Sequence, residues 1–213
     1  VEKIRLAART SFINTISGTD LVVGSRTGDV QLLLYSVFHI GDATANVTWK
    51  TLEDIKKRKE VKWIVPIALG DSHRGYRVVG TSSEYFNRFR YRRNIPLRFS
   101  EGRKFSDLFD AVIGADVARK LNYKIGNQIV LAHGTGPVSI GKDHGDTPFQ
   151  VSGILAPTGT PVDRAVHVSM EAIEAIHVGW ETGSFTDQGE KNSPENLRKM
   201  DLSPKEVTAM YVG

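Results

Sequence analysis

Between Phe99 and Ile176 the sequence is a series of short apolar runs closed by glycine, and this order restricts the fold more than any other feature of the chain. The stretch opens with a Glu101-Gly102-Arg103 turn. An apolar strand ending at Gly114 follows, then a helix from Ala115 to Asn122 with an Asp-Val-Ala-x-x-Leu pattern, then an Ile125-Gly126 strand entry. Strands are expected at Asp110 to Ile113, Gln128 to Ala132, Phe149 to Leu155 and Ala165 to Val168. Their β-branched and aromatic residues lie between Gly and Pro boundaries. Ser169 is placed to cap a helix reaching His177. Nothing in this order gathers reactive groups; it is a scaffold pattern.

The flanking sequence has a different texture. Val1 opens the chain, and Ile4, Leu6, Ala7, Ala8 and Phe12 fall at helical spacing. The expectation is a piece excised from within a longer helix. Asp20 to Gly24 reads as a strand. Asp29 is expected to cap a helix from Val30 to about Ile40, and Thr48 a second one ending in Lys56-Lys57-Arg58, where cations complement the helix dipole. Two strands, Val61 to Leu69 and Tyr76 to Gly80, are expected to flank a loop at Gly70 to Gly75. Ser82-Ser83 precedes a short helix with Tyr85, Phe86 and Phe89. Residues 181–193 are polar and read as loop, Pro194 to Met200 as a helix, and Glu206 to Val212 as the last strand.

These elements predict an α+β fold. Residues 1–95 and 178–213 form a split ferredoxin-like, porter-like subdomain, and residues 96–177 a β-rich subdomain inserted into it. The 213 residues suffice for such a core, and 40% hydrophobic with 24% charged residues fits a globular chain. No apolar run approaches the ~18 residues that span a bilayer. Cysteine is absent, which removes disulfides, zinc-thiolate sites and cysteine nucleophiles.

The chemical motifs are incomplete. Gly136 to Gly141 with Lys142 approaches a phosphate-binding loop, but Asp143 stands where a hydroxyl must hold magnesium. His133, His144 and Asp146, His73 with Asp71, and His167 with Asp163 lack metal-ligand spacing, and His177 reads as a helix end. No Gly-x-Ser-x-Gly elbow exists, and Ser72 and His73 are strand neighbours that point to opposite faces. The expectation is no catalytic residue, no cofactor and no metal.

Charge is uneven. Arg88, Arg90, Arg92, Arg93, Arg98, Arg103 and Lys104 stand against Glu101 alone, seven cations less one anion, or +6 in a chain of net +4. Arg88, Arg90, Arg92 and Arg93 are therefore the candidate contacts for a partner or a lipid headgroup. The aromatics between them also admit a nucleic-acid reading of residues 88–104. The same alternation builds a solvated face over inward Phe86, Phe89 and Ile95.

Several further motifs complete the pattern: Val78-Val79-Gly80-Thr81 before Ser83-Glu84-Tyr85-Phe86, Leu97-x-Phe99-x-Glu101-Gly102-Arg103-x-Phe105, Val112-Ile113-Gly114, Val151-x-Gly153-Ile154-Leu155 and Thr208 to Val212. In this order they resemble the MacB-like periplasmic core domain of FtsX-type ABC transporter permeases. The resemblance implies a non-catalytic extracytoplasmic domain carried between transmembrane helices of a bacterial inner-membrane protein. It also implies a cytoplasmic ABC ATPase, fused or separate, and a homodimer in the full-length permease. The domain would pass ATP-driven motion to lipoprotein or peptide cargo, as in efflux, or to a periplasmic adaptor. On this reading the hinges lie at Asn94, Ile95 and Pro96 and near Gly183. A free-standing periplasmic binder of peptide or lipid is the alternative, with a nucleic-acid module behind it. The polar stretches at 70–75, 133–146 and 157–163 depart from the family pattern.

Overall fold

A computed structural model describes residues 15–26, 28–133, 149–178 and 193–213. The expected helix at 1–12, the loop around Lys142 and the hinge residue Gly183 lie outside the described residues.

One mixed sheet organises the fold. Its strands are β1 (Leu21–Gly24), β3 (Ile64–His73), β4 (Tyr76–Thr81), β7 (Phe99–Gly102), β8 (Asp110–Ile113), β9 (Gln128–Ile129), β10 (Ala132–His133), β11 (Phe149–Leu155), β12 (Ala165–Ser169) and β14 (Ala209–Val212). The order is β1-β14-β3-β4-β12-β8-β11-β7, with β10 on β3 and β9 on β11. Neighbours are antiparallel except β4–β12 and β8–β11. Two short ribbons stand apart: β2 (Val47–Thr48) with β13 (Glu206–Val207), and β5 (Arg90–Tyr91) with β6 (Ile95–Pro96).

The sheet is covered on both faces, and the strands show it in their alternation. Val65, Ile67, Val79, Val112 and Tyr211 pack on one face with Tyr85, Phe86 and Phe89. That face lies under α1 (Asp29–Ser36) and α3 (Glu84–Arg88). Val78, Ile113, Val166 and Val168 turn to the other face, against Ala172 and Ile176 of α5 (Met170–His177). Met210 and Val212 continue that layer beneath Leu52 of α2 (Trp49–Lys56). A further helix, α4 (Ala115–Leu121), is closed by Asn122 in the left-handed conformation, φ 55°. The last is α6 (Pro194–Leu197). Ring contacts tie the first layer, with Phe86 and Phe105 5.3 Å and Tyr85 and Phe89 5.0 Å between centroids. Such pairs contribute about 1 kcal/mol each beyond their burial.

Several expected boundaries move. Gly70 to Gly75 is not a loop: β3 runs on to His73, and only Arg74 and Gly75 turn, at φ 48° and 81°. Two left-handed residues match the twist of a tight hairpin. The buried polar residues 71–73 are paired, Ser72 with Ala132 and Asp71 with His133. Asp29 is the first residue of its helix rather than its cap, which is Gly28. The last strand splits at Thr208, whose hydroxyl accepts from the Leu69 amide at 3.0 Å. The stretch expected as one strand at Gln128 to Ala132 divides into β9 and β10.

The sheet crosses the expected subdomain boundary. β4 and β12 pair over five residues, from Arg77↔Ala165 to Thr81↔Ser169. Asp107 and Arg198 join the same two parts of the chain by an ion pair at 2.8 Å.

Candidate functional site

The four arginines singled out by the charge pattern do not share one surface element. Arg88 ends α3 and is spent on Glu84, Nε to Oε2 at 3.1 Å. Arg90 is half-buried on β5 and donates to the Phe89 carbonyl at 2.9 Å. Arg92 and Arg93 lie exposed in the turn between β5 and β6. That turn is made by left-handed residues, Arg92 at φ 48° and Asn94 at φ 67°. The side chain of Arg92 reaches back to Gly159, where a Cβ would fall 2.9 Å from its Nη2. Ile95 and Pro96, the other expected hinge residues, form β6 opposite Tyr91 and Arg90. The Asn94 amide donates to Ser17 Oγ at 3.1 Å.

Arg103, further along the basic stretch, is also committed. Its Nη1 meets Asp110 Oδ2 at 2.7 Å. The same carboxylate oxygen accepts from the amides of Ser106 and Asp107 at 3.0 and 3.1 Å. Burial pushes the Asp110 pKa upward, but these amides and the guanidinium outweigh it and hold the carboxyl below its ordinary value. This network explains the Glu-Gly-Arg turn: Gly102 takes φ 70° so that Arg103 folds back on β8.

His167 and His73 are held by contacts within the fold. His167 is fully buried, its Nδ1 3.2 Å from the Val112 carbonyl oxygen and its ring 5.1 Å from that of Tyr85. Burial lowers its pKa to about 4, so the ring is neutral and Nδ1 donates. His73 lies between the Val130 carbonyl at 2.7 Å and the Tyr123 hydroxyl at 3.0 Å. Asp163 is satisfied by the Thr158 amide and hydroxyl and the Gly159 amide, so it does not join His167. Among the described residues no three acidic or histidine side chains converge as a metal site. Sequence reasoning missed the approach of His177 to Asp71, Nε2 to Oδ1 at 4.0 Å. They are 106 positions apart, and no local pattern signals the contact.

The end of the sheet where β14 finishes is the most distinctive surface. The Gly213 carbonyl oxygen accepts from the amides of Lys62 and Trp63 at 2.8 and 3.0 Å. Leu21, the first residue of β1, lies opposite Val212. A groove of 730 Å³ at this end is walled by Trp49, Trp63, Leu52, Phe105 and Met170. Two rim charges are paired off locally, Lys56 with Glu53 and Arg88 with Glu84. The groove is mixed, with its apolar side chains set among serines and charged residues such as Lys62, Asp107 and Glu171.

A scan against known families matches residues 5–196 to the MacB-like periplasmic core domain. The chain belongs to this family. It is thereby a periplasmic core domain of the ABC transporter permease class, a non-catalytic transporter part with a membrane and an ATPase in its context. Similar solved structures include the extracellular domain of the noncanonic ABC-type transporter YknZ from Gram-positive bacteria. It is 16% identical, with 80% of this chain and 74% of that one covered, at a TM-score of 0.43. Another is the periplasmic region of MacB from Actinobacillus actinomycetemcomitans, 10% identical over 99% of this chain and 78% of that one, at a TM-score of 0.46. No curated protein matches the sequence. Among the described residues no helix of this MacB-like domain is long and apolar enough to cross a membrane.

Proposed function

We propose that this domain is a mechanical element of a bacterial inner-membrane permease. Its own transmembrane helices move it when a cytoplasmic ABC ATPase, fused or separate, turns over. The motion passes to peptide or lipoprotein cargo, or to a periplasmic adaptor. The permease acts as a homodimer, and ATP hydrolysis belongs to the ATPase.

The adjacency of β1 and β14 supports this reading most. The Asp20 amide donates to the Val212 carbonyl at 2.9 Å, so the first strand begins beside the place where the last one ends. Two tethers that move together there carry the sheet as one handle. Tethers that move apart would peel the ladder bond by bond, beginning at Leu21↔Val212.

The porter-like half, residues 1–95 with 178–213, and the inserted half, 96–177, are joined through the β4–β12 ladder and the shorter β3–β10 ladder. The proposed motion is a small twist that both ladders tolerate, with Asn94, Ile95 and Pro96 absorbing the backbone change. Replacing residues 21–212 of the parent permease with a Gly/Ser linker should abolish transport in proteoliposomes and leave ATP binding in place. Transport at the wild-type rate would overturn the proposal.

A further inference from the structure

Where β4 and β12 begin, away from Gly213, the surface holds an open cleft of 590 Å³ that the lever reading leaves unused. His39, Arg77 and Arg164 line it, with the hydroxyls of Tyr76 and Thr160 and the ring of Phe38. Among the described residues no carboxylate lines it, and Asp42 nearby is paired with Arg77. Cationic side chains beside the aromatic residues Phe38 and Tyr76 are groups that can hold a small anion with an apolar part.

The donors differ in how far they are committed. The Arg77 side chain is 9% exposed, and it grips the loop before β2 from within: Nη1 meets Asp42 Oδ1 at 2.6 Å and Nη2 the Gly41 carbonyl oxygen at 2.7 Å. Asp42 is itself 67% exposed, on the solvent side of that pair. Arg164 is exposed, and its charge acts on Asp116, which pairs with Arg119. Arg92 approaches from the β5–β6 turn and lies against Gly159, at the rim. His39 is held at φ 57°, a left-handed conformation that costs a non-glycine residue on the order of 1 kcal/mol or more. Burial, then His167 and Arg77, lower its pKa to about 3, so it faces the cleft as a neutral ring.

We propose that this cleft binds a small organic anion, a carboxylate or phosphate joined to an aromatic or apolar group. Arg77, Arg92 and Arg164 meet the anion, His39 hydrogen-bonds it, and Phe38 and Tyr76 take the apolar part. Guanidinium groups suit this role because their planar donors match both carboxylate and phosphate oxygens. The inference is independent of the transport reading, since the isolated 213-residue chain suffices to test it.

The test is titration calorimetry at pH 7 with three probes: N-acetylphenylalanine, its uncharged amide, and inorganic phosphate. The acid should saturate, with the amide weaker by about tenfold or more, and Arg164→Ala should cost the acid about tenfold in affinity. Arg164→Ala should leave the melting temperature nearly unchanged, because that side chain is exposed and accepts no packing load. Competition by phosphate assigns the head group to phosphate chemistry, and saturation by the acid alone assigns it to carboxylate. Equal binding of acid and amide, an unaffected Arg164→Ala variant, or no saturable binding of acid or phosphate up to about 10 mM would each overturn the proposal.

Discussion

Leu21 lies directly opposite Val212 in the β1–β14 ladder, and the amide of Asp20 closes the pair on the Val212 carbonyl oxygen at 2.9 Å. The chain therefore starts and finishes its sheet at one point. β14 in turn pairs with β3, Val212 opposite Ile64, so a displacement applied there enters the middle of the sheet. The consequences of the packing behind that point can be measured one at a time.

The buried His167 makes stability depend on pH. Its folded pKa of about 4 lies below the ordinary value of 6.5, so the unfolded chain binds the proton more readily. The stabilisation is fully present above pH 6.5 and is lost as pH falls toward 4. A depression of this size corresponds to roughly 3 kcal/mol. Urea denaturation across that range should show the slope, and His167→Leu should flatten part of it, leaving the contribution of His39.

Gly153 has no room for a side chain. A Cβ there would meet the Arg103 carbonyl oxygen and come within 2.8 Å of the Phe99 ring. Gly153→Ala should destabilise the domain by about 2 kcal/mol or more, since one of the blocking atoms is backbone. The shift of the urea midpoint checks it.

Helix caps give a discriminating pair. Ser169 Oγ accepts from the Ala172 amide at 3.0 Å, whereas Asp29 caps nothing. Ser169→Ala should cost about 1 kcal/mol, and Asp29→Ala a smaller amount through the helix dipole alone. Thermal melts of the two variants should rank them in that order.

Asp107 and Arg198 join the two parts of the chain, and Arg198 also lies 5.0 Å from the Phe109 ring centroid. Both side chains are close to half exposed, so the coupling in a double-mutant cycle should be about 0.5–1 kcal/mol and should shrink in high salt.

The elements between Phe99 and Ile176 were readable in the sequence because each of their signals is local. Apolar runs gave β8 and β11, Ser169 gave the start of α5, and Gly114 marked the turn into α4, where a Cβ would collide with the carbonyls of Val162 and Asp163. What failed were signals supplied from a distance. Asp71, Ser72 and His73 look like a polar loop until β10 pairs with them and Tyr123 and Val130 satisfy His73. The arginine stretch looks like one basic face until left-handed Arg92 and Asn94 reverse the chain and Glu84 and Asp110 claim two of its members. The His39–Arg77–Arg164 cleft draws on three separate segments and has no sequence pattern.

The lever account is tested most directly by locking the two parts of the domain in the full-length permease. Asp107→Cys and Arg198→Cys, bridged through disulfides by a short bis-methanethiosulfonate and assayed in proteoliposomes, should stop transport while ATP binding persists, and a reductant should restore it. Undiminished transport with the bridge fully formed would contradict the account.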